Sequence, residues 1–114
     1  MLQILHNPRC GKSRDCLLFT TDSKVPFQII NYIENPLNVD ELKDLINKLK
    51  IKPIELVRQK ESIWIENYLG KKMTNLQIIK AIAKHPILMQ RPIVIDGDKA
   101  IIGREIDKLE GFIK

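Results

Sequence analysis

The chain predicts an α/β fold: a mixed four-stranded sheet in which an N-terminal β-α-β unit and a C-terminal β-β-α unit flank a helical insertion. Three observations predict it. A short apolar run, a helical pattern and a second apolar run succeed one another within residues 1–30. Segments of helical period fill the middle of the chain. Near its end, Ile93-Val94-Ile95, Asp96-Gly97-Asp98-Lys99 and Ala100-Ile101-Ile102 form a hairpin signal, with one more helical pattern behind it.

Leu2, Ile4 and Leu5 begin an apolar run that His6-Asn7-Pro8 ends, as a strand entering a loop does. A helix is expected from near Cys10 to about Thr20, and a second strand from Val25 to Ile30, before a loop at Asn35-Pro36. Asn38 and Glu41 have capping-box spacing, and Val39, Leu42, Leu45, Ile46 and Leu49 then recur at helical period. Pro53 is placed to open another helix containing Ile54, Leu56 and Val57. The stretch from Ser62 to Met73 is ambiguous. Thr74 and Gln77 repeat the capping-box pattern and open a helix with Leu76, Ile79, Ile82 and Ala83 on one side, stopped before Pro86. Ile106, Leu109, Phe112 and Ile113 give a last helix over Glu105 to Ile113. Trp64, Met73 and Met89 read as packing residues. No repeat or linker divides the chain, so residues 1–114 read as one domain. Strand, helix, strand, helices, hairpin, helix is the thioredoxin-like order with a helical insertion.

Composition narrows the function classes. With 44% hydrophobic and 29% charged residues the chain is globular rather than disordered. It opens on no basic segment followed by a long apolar one, so no secretory leader is expected. No apolar run approaches membrane-spanning length, and two cysteines are too few for a secreted disulfide framework. A cytoplasmic protein without a membrane partner is the expectation. The net charge of +5 and pI of about 9.3 attract anions. The lysines are spread along the chain, however, and aromatics make up only 5%. No basic stripe interleaved with stacking residues appears, which argues against a nucleic-acid partner.

The chemistry centres on Cys10, within His6-Asn7-Pro8-Arg9-Cys10-Gly11-Lys12-Ser13-Arg14 at a strand-to-helix junction. A helix N-terminus and nearby cations both favour thiolate over thiol, which makes Cys10 a candidate nucleophile. His6 either supports that thiolate when protonated or hydrogen-bonds at the strand end. Ser13 either caps the helix or donates to the sulfur. Arg9, Lys12 and Arg14 read as a solvated basic rim. Cys16 lies six residues from Cys10, about 9 Å along a helix axis, beyond ordinary disulfide reach. It precedes Leu17, Leu18 and Phe19 and reads as a core residue. No third cysteine or carboxylate cluster accompanies His6, so no metal site is expected.

A hairpin turning at Gly97-Asp98 sets Asp96 opposite Lys99 and, counted outward, Arg91 opposite Arg104. Facing guanidiniums either splay into water, pair with carboxylates such as Glu105 or Glu110, or hold an anion. A guanidinium suits an oxyanion because its planar fork donates two parallel hydrogen bonds. Arg91-Pro92 is either a cis bond beside the site or an ordinary trans proline entering a strand. Arg58, in Leu56-Val57-Arg58-Gln59-Lys60-Glu61, reads by itself as a surface helix charge.

Four segments together resemble the arsenate reductases of the glutaredoxin-coupled type, in the thioredoxin-like superfamily. They are the Cys10 loop, Leu56 to Glu61, Leu88-Met89-Gln90-Arg91-Pro92-Ile93-Val94-Ile95, and Ile101-Ile102-Gly103-Arg104, in order along the whole chain. The resemblance implies Cys10 as nucleophile, Arg58, Arg91 and Arg104 as oxyanion ligands, His6 and Ser13 as supports of the thiolate, and a cis Pro92. It also implies a course of reaction. The thiolate attacks arsenate, glutathione forms a mixed disulfide with Cys10 as arsenite leaves, and glutaredoxin restores the thiol. Glutathione is then a co-substrate, and no bound cofactor or metal is needed. One departure is Glu105, where relatives often carry proline after the third arginine. A carboxylate there either competes for Arg104 or Arg91 or sits favourably at the start of the last helix. Two other functions fit the resemblance. One is an Spx-like regulator that binds RNA polymerase, although Ser13 stands where its Cys-x-x-Cys switch would have the second cysteine. The other is a glutathione-dependent thiol oxidoreductase that does not act on arsenate.

Overall fold

The computed structural model describes residues 2–7, 11–103 and 106–113. In chain order the elements are β1 (Leu2–His6), α1 (Gly11–Asp22), β2 (Phe27–Asn31), α2 (Val39–Leu49), α3 (Ser62–Asn67), α4 (Asn75–Lys84), β3 (Ile93–Asp96), β4 (Lys99–Ile102) and α5 (Ile106–Ile113), with 3-10 turns at Pro53–Leu56 and Pro86–Leu88. They form two compact units. One comprises Met1–Asn35 with Arg91–Lys114, the other Pro36–Gln90.

The first unit carries the sheet, in the order β2-β1-β3-β4. β1 runs parallel to β2 and antiparallel to β3, which is antiparallel to β4, so the sheet is mixed as expected. Parallel neighbours need a crossover, and α1 provides it between β1 and β2. Pairing with β2 begins at Leu2 and Phe27 rather than at Val25. Pro26 explains the shift: it has no N–H for the ladder and only accepts, from the Leu2 amide, at 3.2 Å. The hairpin has the expected register, from Asp96 opposite Lys99 to Ile93 opposite Ile102. Gly97 takes φ 62° in its turn, a conformation open to glycine because it lacks Cβ.

Alternation along the strands gives the sheet an apolar face of Leu2, Ile4 and Val94. α1 and α5 supply Cys16 and Leu109 against it, and Leu17, Phe19, Val25, Phe27, Ile101 and Phe112 pack around this core. Ile4, Cys16, Val94 and Leu109 are all fully buried. Ile4, Val94 and Leu109 each contribute about 1.5–3 kcal/mol through area removed from water.

In the second unit α2 has the bounds its periodicity predicts. The Asn38 side chain accepts from the Glu41 amide at 2.8 Å, and the Glu41 carboxylate accepts from the Asn38 amide at 3.1 Å. α4 packs against α2 and both 3-10 turns. Its buried residues are Ile78, Ile79, Ala81 and Ile82, whereas Leu76, expected on that face, is 42% exposed. The neighbours select the stripe centred on Ile78 and Ile82, about a quarter of a turn away from the predicted one. Pro53 opens a 3-10 turn rather than an α-helix, because the chain is captured by a pairing further along. Val57 bridges Met89 antiparallel. On either side the Arg58 amide donates to the Leu88 carbonyl at 2.7 Å, and the Gln90 amide to the Leu56 carbonyl at 2.8 Å. The ambiguous stretch contains α3, whose Trp64 is buried and stacks on Tyr68 at 5.3 Å between ring centroids. Met89 is buried as expected and Met73 half-buried.

Candidate active site

His6 ends β1, and the residue is 7% exposed. The last residue pair between β1 and β3 is Leu5 with Ile93. One step further in that antiparallel register sets His6 opposite Pro92, and the next sets Asn7 opposite Arg91. The Arg91–Pro92 peptide bond is cis. The Pro92 carbonyl accepts from the Gly103 amide at 2.7 Å, which ties the end of β4 to the start of β3. Gly103 packs against the core: a Cβ at that position would be in ordinary contact, 3.4 Å from the Cys16 Sγ and 3.5 Å from Val94. The residue just before Arg104 is thus held by the sheet and by the helix core together.

His6 and Arg91, at one end of the sheet, share an unusual property. His6 Nδ1 and Arg91 Nε and Nη1 are buried with no hydrogen-bond partner among the described residues. Buried polar atoms are nearly always paired, and an unpaired one costs about 1–3 kcal/mol, more when charged. Two guanidinium donors in such surroundings fit an acceptor with negative charge. Burial lowers the His6 pKa below its usual 6.5, and the Arg14 guanidinium lowers it further. At neutral pH the ring is therefore neutral, with one nitrogen donating and the other accepting.

Cys10, Arg104 and Glu105 lie outside the described residues, as does the side chain of Ser13. Along the chain Cys10 immediately precedes Gly11, the first residue of α1. Arg58 belongs to the second unit. It sits not on a helix but in the turn after the Val57–Met89 bridge, where its backbone is pinned to Leu88. Its side chain, 29% exposed, pairs with the Glu61 carboxylate at 3.2 Å. The three-residue spacing of Arg58 and Glu61 is the signal in the sequence for this pair. Cys16 is fully buried. Burial pushes its thiol up to about 11, against a smaller opposing effect from the Thr20 hydroxyl. Cys16 is a free core thiol, chemically unlike a nucleophile. No group of His, Cys, Asp and Glu among the described residues could hold a metal ion, and no helix there is long and apolar enough to cross a membrane.

The order β2-β1-β3-β4, the α1 crossover, and a cis proline at the head of β3 define a thioredoxin-like fold. Within that class the chain belongs to the ArsC family, which matches residues 5–112. An arsenate reductase of Neisseria meningitidis is 35% identical over 116 residues, covering 98% of this chain and 97% of that protein. One from Haemophilus influenzae is 36% identical and covers 89% of each. The solved structure of an arsenate reductase from Vibrio cholerae superposes with a TM-score of 0.92 at 33% identity, over 99% of this chain and 97% of that one.

Proposed function

We propose that this protein reduces arsenate to arsenite, with Cys10 as nucleophile, Arg58, Arg91 and Arg104 as oxyanion ligands, and glutathione and glutaredoxin as thiol donors. The observation that carries the reading is Arg91. Two of its nitrogens are buried without a partner among the described residues, beside a cis proline, at the end of the sheet from which the Cys10 loop departs. The family relationship to proteins named arsenate reductases supports arsenate as the oxyanion.

The chemistry closes on two electrons. The Cys10 thiolate attacks arsenic, forming a sulfur–arsenic bond as an arsenate oxygen leaves as water. A glutathione thiol then attacks the Cys10 sulfur. The new bond is the mixed disulfide, and the pair of the broken sulfur–arsenic bond stays on arsenic, taking As(V) to As(III). A glutaredoxin thiolate attacks the glutathione sulfur and returns Cys10 as a thiolate. Guanidiniums offset the oxyanion's charge through each step. The neutral His6 ring supports the thiolate by donating a hydrogen bond rather than by carrying charge, and the Ser13 hydroxyl is a second donor. The thiol donors come from solution, so no resolving cysteine is needed in the chain.

The experiment is arsenate reduction with glutathione and glutaredoxin, comparing wild type with Cys10→Ser. Arsenite from the wild type and none above background from the variant is the expected result. Equal rates from the two proteins would reject the reading.

A further inference from the structure

The second unit carries a concave site that the proposed reaction does not use. It lies between α4 and the segment leading into it, with a volume of about 360 Å³, within the range of small-molecule sites. Lys71 and Lys72 border it from the loop after Gly70, and Lys80 and Lys84 from one face of α4. No acidic side chain lines it. None of the four lysines forms an ion pair among the described residues. Lys80 and Lys84 are spaced four apart on a helix, where like charges repel. The site therefore concentrates positive potential in a concavity, the arrangement that attracts and retains an anion.

The remaining lining residues say more about the ligand. Tyr68 is half-buried, stacks on the buried Trp64 on one side, and meets His85 edge-on at 6.2 Å. Its ring is the aromatic ledge of the site. Met73 beside it is half-buried, with a thioether that adapts to a flat surface. Gln77 has its Oε1 committed, accepting from the Thr74 amide at 2.8 Å in the α4 capping box. The Gln77 amide nitrogen is left as a donor, in keeping with an acceptor-rich ligand. A bare inorganic anion has no use for the ledge, and an apolar ligand has none for the lysines.

We infer that this cavity binds a small phosphorylated organic molecule of the nucleoside diphosphate kind, its phosphates among Lys71, Lys72, Lys80 and Lys84 and its planar base against Tyr68 and Met73. The test uses the full chain and two probes, ADP and pyrophosphate. Trp64, the chain's single tryptophan, supplies a fluorescence signal through its stack on Tyr68. Amide shifts over residues 68–84 locate the binding. ADP should give saturable changes in both signals and bind at least tenfold tighter than pyrophosphate. Lys80→Gln with Lys84→Gln should weaken ADP at least tenfold without altering the circular dichroism spectrum. Tyr68→Leu should reduce the preference for ADP while pyrophosphate binding persists. Four results would each overturn the inference: no saturable change, shifts confined to the first unit, pyrophosphate binding as tightly as ADP, or an unchanged ADP affinity in the lysine variant.

Discussion

At Arg91, two buried guanidinium nitrogens, Nε and Nη1, lack a partner among the described residues, and under the proposed function they are charge-assisted donors to the oxyanion. Lysine keeps the charge but not the fork. Arg91→Lys should lower kcat/KM for arsenate about 10- to 100-fold, which corresponds to about 1.5–3 kcal/mol for a charge-assisted bond. The thermal midpoint should move little, and paired kinetics and melting curves check both. His6 makes a different prediction. Its pKa is lowered in the folded protein, so the unfolded chain binds the proton more readily. The stability it contributes is complete above about pH 6.5 and is lost as the pH falls toward and through the folded value. Urea midpoints should therefore fall between pH 7.5 and pH 5, and by less in His6→Gln. At this scale the sequence distinguished the two cysteines by their neighbours: basic and polar around Cys10, apolar beyond Cys16. It did not reveal that His6 is neutral, because burial is a property of the packed sheet end, nor that Arg58 is paired with Glu61.

Among the elements, those with a local start signal were legible to the residue. α2 and α4 both begin at capping boxes, at Asn38–Glu41 and Thr74–Gln77, where two orphan backbone groups find partners within one turn of chain. Thr74→Ala should cost about 1 kcal/mol by chemical denaturation, the usual value of an N-cap. Thr74→Ser should restore most of the loss. The hairpin was equally legible, since a two-residue turn dictates register through Asp96 and Lys99. Pro53 shows the opposite case. Its sequence suits a helix start, yet the chain leaves the helical region at Val57, where φ is −86° and ψ 132°. The bonds to Leu88 and from Gln90 that hold it there come from residues more than thirty positions away. The α4 face likewise followed its neighbours rather than the first plausible stripe, leaving Leu76 exposed.

For the whole molecule, one domain over residues 1–114 remains our proposal, set against two compact units in the structure. It predicts a single cooperative transition. Trp64 fluorescence reports on the second unit, and in Cys10→Ser the reactivity of the buried Cys16 thiol reports on the first. Coincident urea midpoints would support one domain, and separated ones would reject it. The mixed four-stranded sheet, the helical insertion and the family were all readable from the sequence, because alternation, helical period and turn chemistry are local and the four quoted segments keep their order. The sequence by itself determined the element types, the hairpin register and which cysteine is apolar in setting. Only the tertiary structure decided which face of α4 is buried, that Pro53 opens a turn and not a helix, and that His6 and Arg91 bury polar atoms at one end of the sheet. Those outcomes depend on contacts between residues far apart in the chain, and desolvation exists only once such residues have come together.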